Sequence, residues 1–235
     1  MNKTESKDSA ESIDHRNYVG PKQFWDIAAA HQFCALVQCG MRARHRVLDV
    51  GCGSLRLGRL LIPWLNDRGY HGVEPDSRLI YQGITHEVPL RPSGVEYDYL
   101  ITTGTITSLS DQRRTDSFTY DPRSRDNGEI KKFDFIMFHS IFTHASMKSV
   151  REMLAAAESL LAPGGMVLAT YLPGPQSSDE VEWVYPLCRS HSVGNMIDAF
   201  MDAGIHEVYH DDPSMKHFHG HHWIKARRGL SLMGI

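Results

Sequence analysis

The sequence predicts an α/β fold, a mainly parallel sheet with helices on both faces, and three observations carry that prediction. Short apolar runs alternate with stretches of helical periodicity along most of the chain. One such run, Val47 to Val50, leads into Gly-Cys-Gly and then a helix-like spacing of Leu57, Leu60, Leu61, Ile62 and Trp64. A second, Tyr70 to Val73, ends at Glu74-Pro75, where proline stops ladder pairing and opens the next turn and helix. With 235 residues and 41% hydrophobic composition, the chain has the length of one large domain.

The elements follow in order. Residues 1–16 are rich in Lys, Glu, Ser and Asp and read as a disordered tail without the apolar region of a secretory signal. A domain is expected over 17–228, opening with an amphipathic helix at about 21–40 that Gly40 stops. After the second strand the pattern weakens, and about 86–132 reads as an acceptor-region insert with one plausible third strand, Ser117 to Asp121. Periodicity returns at the strand Phe133 to Phe138, the helix Met147 to Leu161, and the strand Met166 to Tyr171. A helix from Asn195 to Ala203 and strands near Ile205–Tyr209 and His222–Lys225 complete the chain.

A net charge of −3 gives no global basic field, so neither nucleic acid nor anionic membrane is an expected partner. No run approaches the length needed to cross a bilayer. The four cysteines, Cys34, Cys39, Cys52 and Cys188, form no Cys-x-x-Cys pair or disulfide framework, which fits a reducing cytoplasm.

In an open α/β sheet, ligands bind beyond the carboxyl ends of the strands, where strand order reverses. The first such end is Gly51-Cys-Gly-Ser54, whose glycines allow close backbone approach and whose following helix offers unpaired N–H groups. A dinucleotide fingerprint needs a third glycine at position 56; Arg56 stands there and would crowd a pyrophosphate. Asp49, just before the turn, would repel a pyrophosphate but suits a cationic, zwitterionic ligand. Glu74 can accept both hydroxyls of a ribose diol, charge-assisted bonds worth about 1.5–3 kcal/mol each. A lone Gly-x-Gly is more often an ordinary turn, but its order and spacing with Glu74 on consecutive strands point to a ligand.

Taken together, these segments resemble class I S-adenosylmethionine (SAM)-dependent methyltransferases. Val47-Leu-Asp-Val-Gly-Cys-Gly-Ser54 looks like their first motif and Gly72-Val-Glu74 like the acidic end of their second strand. Phe133 to His144 is similar to the fourth-strand motif and Leu161 to Leu168 to the fifth, and the likeness covers about residues 18–225. It implies a Rossmann-like, seven-stranded, mostly parallel sheet whose last strand is antiparallel, with SAM as cofactor. It also implies cofactor contacts from Asp49, Gly51, Cys52, Gly53, Ser54 and Glu74, from His139 through its backbone, and from an acidic residue near the adenine, for which Asp121 is the candidate, its alternative being an acid of a solvated loop. Leu55 stands where many members carry glycine.

Methyl transfer is an in-line displacement, so alignment supplies most of the acceleration and a base is needed only where the acceptor must lose a proton. His144, after the fourth strand, is the candidate base; its structural alternative is a polar residue packed on the next helix. Tyr18 and Trp25 could form a lid or simply pack the first helix. His217, His219 and His221 would share one face of an extended strand and could hold zinc, yet a surface hairpin without a metal is the reading adopted. The expected function is methylation of a small metabolite or saccharide, on oxygen. The alternatives are a protein or peptide acceptor, or a cofactor-binding module without catalysis.

Overall fold

The structure, a computed structural model, describes residues 14–94, 96–110, 119–120, 132–177, 179–217 and 219–229. Its strands are β1 (Val47–Val50), β2 (Tyr70–Glu74), β3 (Leu100–Thr103), β4 (Thr119–Tyr120), β5 (Phe133–Phe138), β6 (Leu161–Pro173), β7 (Ser190–His191), β8 (Glu207–His210) and β9 (His222–Arg227). The helices are α1 (His15–Tyr18), α2 (Trp25–Gln38), α3 (Gly58–Trp64), α4 (Ser77–His86), α5 (Ile106–Ser110), α6 (Met147–Leu160) and α7 (Val193–Asp202).

The sheet runs β4-β3-β2-β1-β5-β6-β9-β8, and the two-residue β7 pairs with β6 off that path. Without the two-residue strands β4 and β7, seven strands remain. β3, β2, β1, β5 and β6 are mutually parallel, and β9 runs antiparallel to both neighbours. The expected seven-stranded arrangement with an antiparallel last strand is therefore present. Strand order reverses between β1 and β5, which opens a crevice at their carboxyl ends.

Alternation along the strands divides the core in two. Leu48, Val50, Ile136 and Phe138 pack with α5, α6 and α7, while Val47, Phe135 and Met137 pack with α2, α3 and α4. Side-chain caps start the helices where the sequence changes period: Asp76 accepts from the Arg78 amide, Ser146 from Ser149 and Ser192 from Asn195.

Three expectations change. The third strand is Leu100–Thr103, paired parallel to β2, and not Ser117 to Asp121; of that stretch the described residues Thr119 and Tyr120 form an antiparallel pair on β3. The segment 86–132 consequently contains core elements, β3 and α5, rather than being an insert throughout. Finally, α1 takes in His15 and Arg16, which composition assigns to the tail. The Arg16 guanidinium donates to Glu87 at 2.6 and 3.1 Å, and His15 Nε2 lies 3.0 Å from the same carboxylate.

Candidate functional site

The cleft at the carboxyl ends of β1, β2, β3 and β5 has a volume of about 600 Å³. Its floor is the turn after β1. The amides of Gly51 and Cys52 both donate to the Val73 carbonyl, at 2.8 and 3.2 Å, which folds the turn back over β2. Gly51, Gly53 and Leu55 all have left-handed backbone, with φ of 68°, 54° and 63°. A side chain at Gly51 would strike Ile141, and one at Gly53 would meet Val19 Cγ1 at 2.7 Å. Leu55 thus keeps the path of a glycine while its side chain is fully buried among the residues of α3 and α4.

Glu74 closes one side. Its Oε2 accepts from the Gly53 amide and its Oε1 from the Asp76 amide, each at 3.0 Å. Two carboxylate oxygens offer about four acceptor positions, so capacity remains for a diol. Burial raises the Glu74 pKa, and the two backbone bonds work against that rise. Asp49 is buried and accepts from the Tyr70 hydroxyl at 2.9 Å. Burial lifts its pKa to about 6 against the lowering by Tyr70 and Arg56.

Arg56 faces the same space. Its Nη1 donates to the Val19 carbonyl at 3.0 Å and its Nη2 lies 3.3 Å from His139 Nδ1, while the buried Nε has no hydrogen-bond partner. It makes no ion pair among the described residues, and burial lowers its pKa to about 10. A half-buried guanidinium without an ion-pair partner among the described residues is costly, although the charge of Asp49 offsets part of that cost, and it suits an anion. The sequence reading used Arg56 only to exclude a pyrophosphate. The signal it passed over was a cation seven residues after Asp49, across the glycine turn, which together match a zwitterion.

The opposite wall holds His144. Its Nδ1 lies 2.7 Å from the Leu187 carbonyl, so Nδ1 carries the hydrogen and Nε2 the lone pair. Burial lowers its pKa, against a smaller opposing effect of that hydrogen bond, so the ring is neutral at neutral pH. Trp183 and Tyr185 pack on it at ring distances of 5.6 and 5.0 Å. Main-chain bonds from Val184 to His144 and from Arg189 to Thr143 hold that aromatic segment against the loop after β5. Tyr18 of α1 reaches the same rim, where its carbonyl accepts from the Tyr185 hydroxyl.

Of the residues picked out in the sequence, Asp49, Gly51, Cys52, Gly53, Glu74, His139 and His144 all border the cleft. Ser54 does not: it is fully buried and its hydroxyl donates to the His15 carbonyl at 3.3 Å, tying the turn to α1. Trp25 is buried in α2 and away from the cleft lining, so of the two lid candidates only Tyr18 reaches it. Asp121 lies outside the described residues. With β3 at Leu100–Thr103, the residues that follow the third strand into the cleft are Gly104 and Thr105, a position hidden in the sequence by its run of small polar residues.

No family model matches the chain. Solved structures share its fold at low sequence identity. Magnesium protoporphyrin IX methyltransferase from Synechocystis PCC 6803, with bound SAM, superposes with a TM-score of 0.58 at 13% identity, covering 92% of this chain and 85% of that one. A SAM-dependent methyltransferase from Methanosarcina mazei gives 0.55 at 13%, over 83% and 98%. Human N-acetylserotonin methyltransferase, in complex with SAM, gives 0.57 at 12%, over 88% and 53%. The chain therefore has the fold of class I SAM-dependent methyltransferases.

Proposed function

We propose that this chain is a SAM-dependent methyltransferase acting on a small metabolite or saccharide, with transfer to oxygen. The observation that carries the reading is the placement of a buried acid, Asp49, and a half-buried cation without an ion-pair partner among the described residues, Arg56, around the glycine turn beside Glu74. The methionine moiety of SAM carries an ammonium and a carboxylate, and its ribose carries a diol, so the three side chains match its three polar groups. Asp49 would hold the ammonium, Arg56 the carboxylate and Glu74 the ribose hydroxyls. SAM, when bound, supplies an electrophilic methyl group on a sulfonium.

The acceptor belongs to the wall formed by His144, Trp183 and Tyr185. A flat aromatic surface beside a neutral imidazole suits a sugar ring or a planar metabolite bearing a hydroxyl. His144 takes the hydroxyl proton on Nε2, and its bond to Leu187 keeps the ring in that orientation. The cleft volume is of the size that encloses a cofactor with a small acceptor rather than a folded protein.

The test is to incubate the purified protein with SAM labelled in its methyl group and with separated small-molecule, polysaccharide and protein fractions of a bacterial extract. Label should move to a small molecule or saccharide and be lost in His144→Ala, while SAM binding persists. Transfer to protein alone would overturn the acceptor class, and tight binding with no transfer to any fraction would leave a cofactor-binding module.

A further inference from the structure

Three imidazoles meet where α2, the loop after β5 and the segment before β9 converge, and the proposed methyl transfer does not use them as a set. They are His31, His139 and His217, with one ring nitrogen of each lying within 4.8 Å of the others. His139 and His217 are buried and His31 is half-buried. This is a different set from the alternating His217, His219 and His221 that the sequence brings to mind. Only His217 is common to both, because its ring turns inward and places Nε2 at 3.1 Å from Nε2 of His139.

We propose that His31, His139 and His217 form a binding site for a divalent transition-metal cation, zinc being its simplest occupant. Three imidazoles without a carboxylate are a donor set for zinc and its neighbours rather than for magnesium or calcium. Tetrahedral coordination with bonds of about 2.0–2.1 Å sets ligand nitrogens about 3.4 Å apart. The His139–His217 pair already stands near that spacing, and a ring nitrogen of His31 lies within 4.8 Å of both. The three side chains come from well-separated elements of the sheet and its covering helix, so the fold itself assembles them.

The surroundings hold the rings in place. His31 Nε2 lies 2.7 Å from the Lys216 carbonyl, which fixes the hydrogen on Nε2 and the lone pair on Nδ1, the outer-shell pattern of metal-ligating histidines. The His217 ring stacks on His221 with centroids 4.7 Å apart and meets His31 edge-on at 5.3 Å. Without metal, the His217 Nδ1 accepts from the His219 amide at 3.2 Å, so its hydrogen sits on Nε2 and points at His139. A cation takes the place of that bridging hydrogen, and His217 then carries its proton on Nδ1 at the expense of the bond to His219. The Arg56 guanidinium beside His139 Nδ1 opposes the cation, so the site should be weaker than a three-histidine site without it. Because His139 borders the cleft, an open fourth position would face the ligand space. Its use there, which rests on the methyltransferase reading, would be to polarise an acceptor oxygen.

The experiment titrates zinc ions alone into the full chain after dialysis against a chelator, with equilibrium dialysis and metal analysis, and then repeats the titration with cobalt(II) followed by visible absorption. The expected result is one zinc per chain and the intense cobalt bands of tetrahedral coordination. His31→Gln and His217→Gln should weaken zinc binding at least tenfold, whereas His219→Ala should not. Substoichiometric binding by the wild type, or binding unchanged in a folded His31→Gln, would overturn the site. SAM binding measured on the same samples separates this outcome from a failure of the methyltransferase reading.

Discussion

At the residue scale, the turn after β1 shows how a rule can be kept without its usual residue. Leucine in left-handed backbone costs about 1–2 kcal/mol relative to its ordinary conformation. Full burial of a leucine side chain is worth about 1.5–3 kcal/mol. The two nearly offset, so Leu55 can follow the glycine path because it also fills the core between α3 and α4. Asp49 makes the sharper test. Its pKa of about 6 in the ligand-free protein means that below that pH the proposed ammonium partner must displace a proton. SAM affinity is therefore expected to be level above about pH 6 and to weaken by up to about tenfold per unit below it. Asp49→Asn should bind weakly at every pH and lose that dependence; matching pH profiles for the two proteins in a titration from pH 5 to 8 would refute the assignment.

At the element scale, α1 works as a strap. It is anchored by Arg16 and His15 on Glu87, whose carboxylate is 3% exposed, and by the Ser54 hydroxyl on the His15 carbonyl. From that anchor, Val19 is laid against Gly53 and Tyr18 against the cleft rim. Glu87→Ala should loosen the strap, so that trypsin cuts after Arg16 several-fold faster and SAM dissociates faster. Unchanged proteolysis and unchanged dissociation would show that α1 is held by other contacts. The same scale explains what the sequence made legible. β1, β2, β5 and β6 announce themselves through apolar runs ended by turn residues, and the carboxylate of Glu74 falls at a strand end that proline marks. β3 was hidden because half of Leu100-Ile-Thr-Thr103 is polar: Thr102 is buried and its hydroxyl lies 2.8 Å from Nε2 of His71, a contact visible only in three dimensions. The usable signal was three successive β-branched residues, a strand preference that hydrophobic counting overlooks. The inward turn of His217 was out of reach for another reason, since it depends on His139, a neighbour more than thirty residues away.

At the scale of the whole molecule, two cores on a single sheet leave several polar groups sealed between layers. His71 is the clearest, because burial first, and the nearby Arg46 charge second, push its pKa down to about 3. Folding therefore favours the neutral ring. The unfolded chain binds more protons below its ordinary pKa of about 6.5, so this contribution to stability is complete above that pH. It is lost progressively as pH falls towards about 3, by about 1.4 kcal/mol per unit for one such group. Denaturant titrations of the wild type and His71→Asn between pH 5 and 7.5 should show a shallower slope in the variant. Equal slopes would mean that His71 is not held neutral.

The arrangement of the sheet places the glycine turn, Glu74, Asp49 and Arg56 around one cleft, and among the described residues no helix is long and apolar enough to cross a membrane. The most direct measurement of the central claim is calorimetric titration of SAM into the purified protein, with NAD as comparison, repeated for Glu74→Gln. SAM should bind with one site per chain, NAD should not compete, and the variant should lose at least about 1.5 kcal/mol, more than tenfold in Kd. Absence of SAM binding, or an unchanged Kd in Glu74→Gln, would contradict the account.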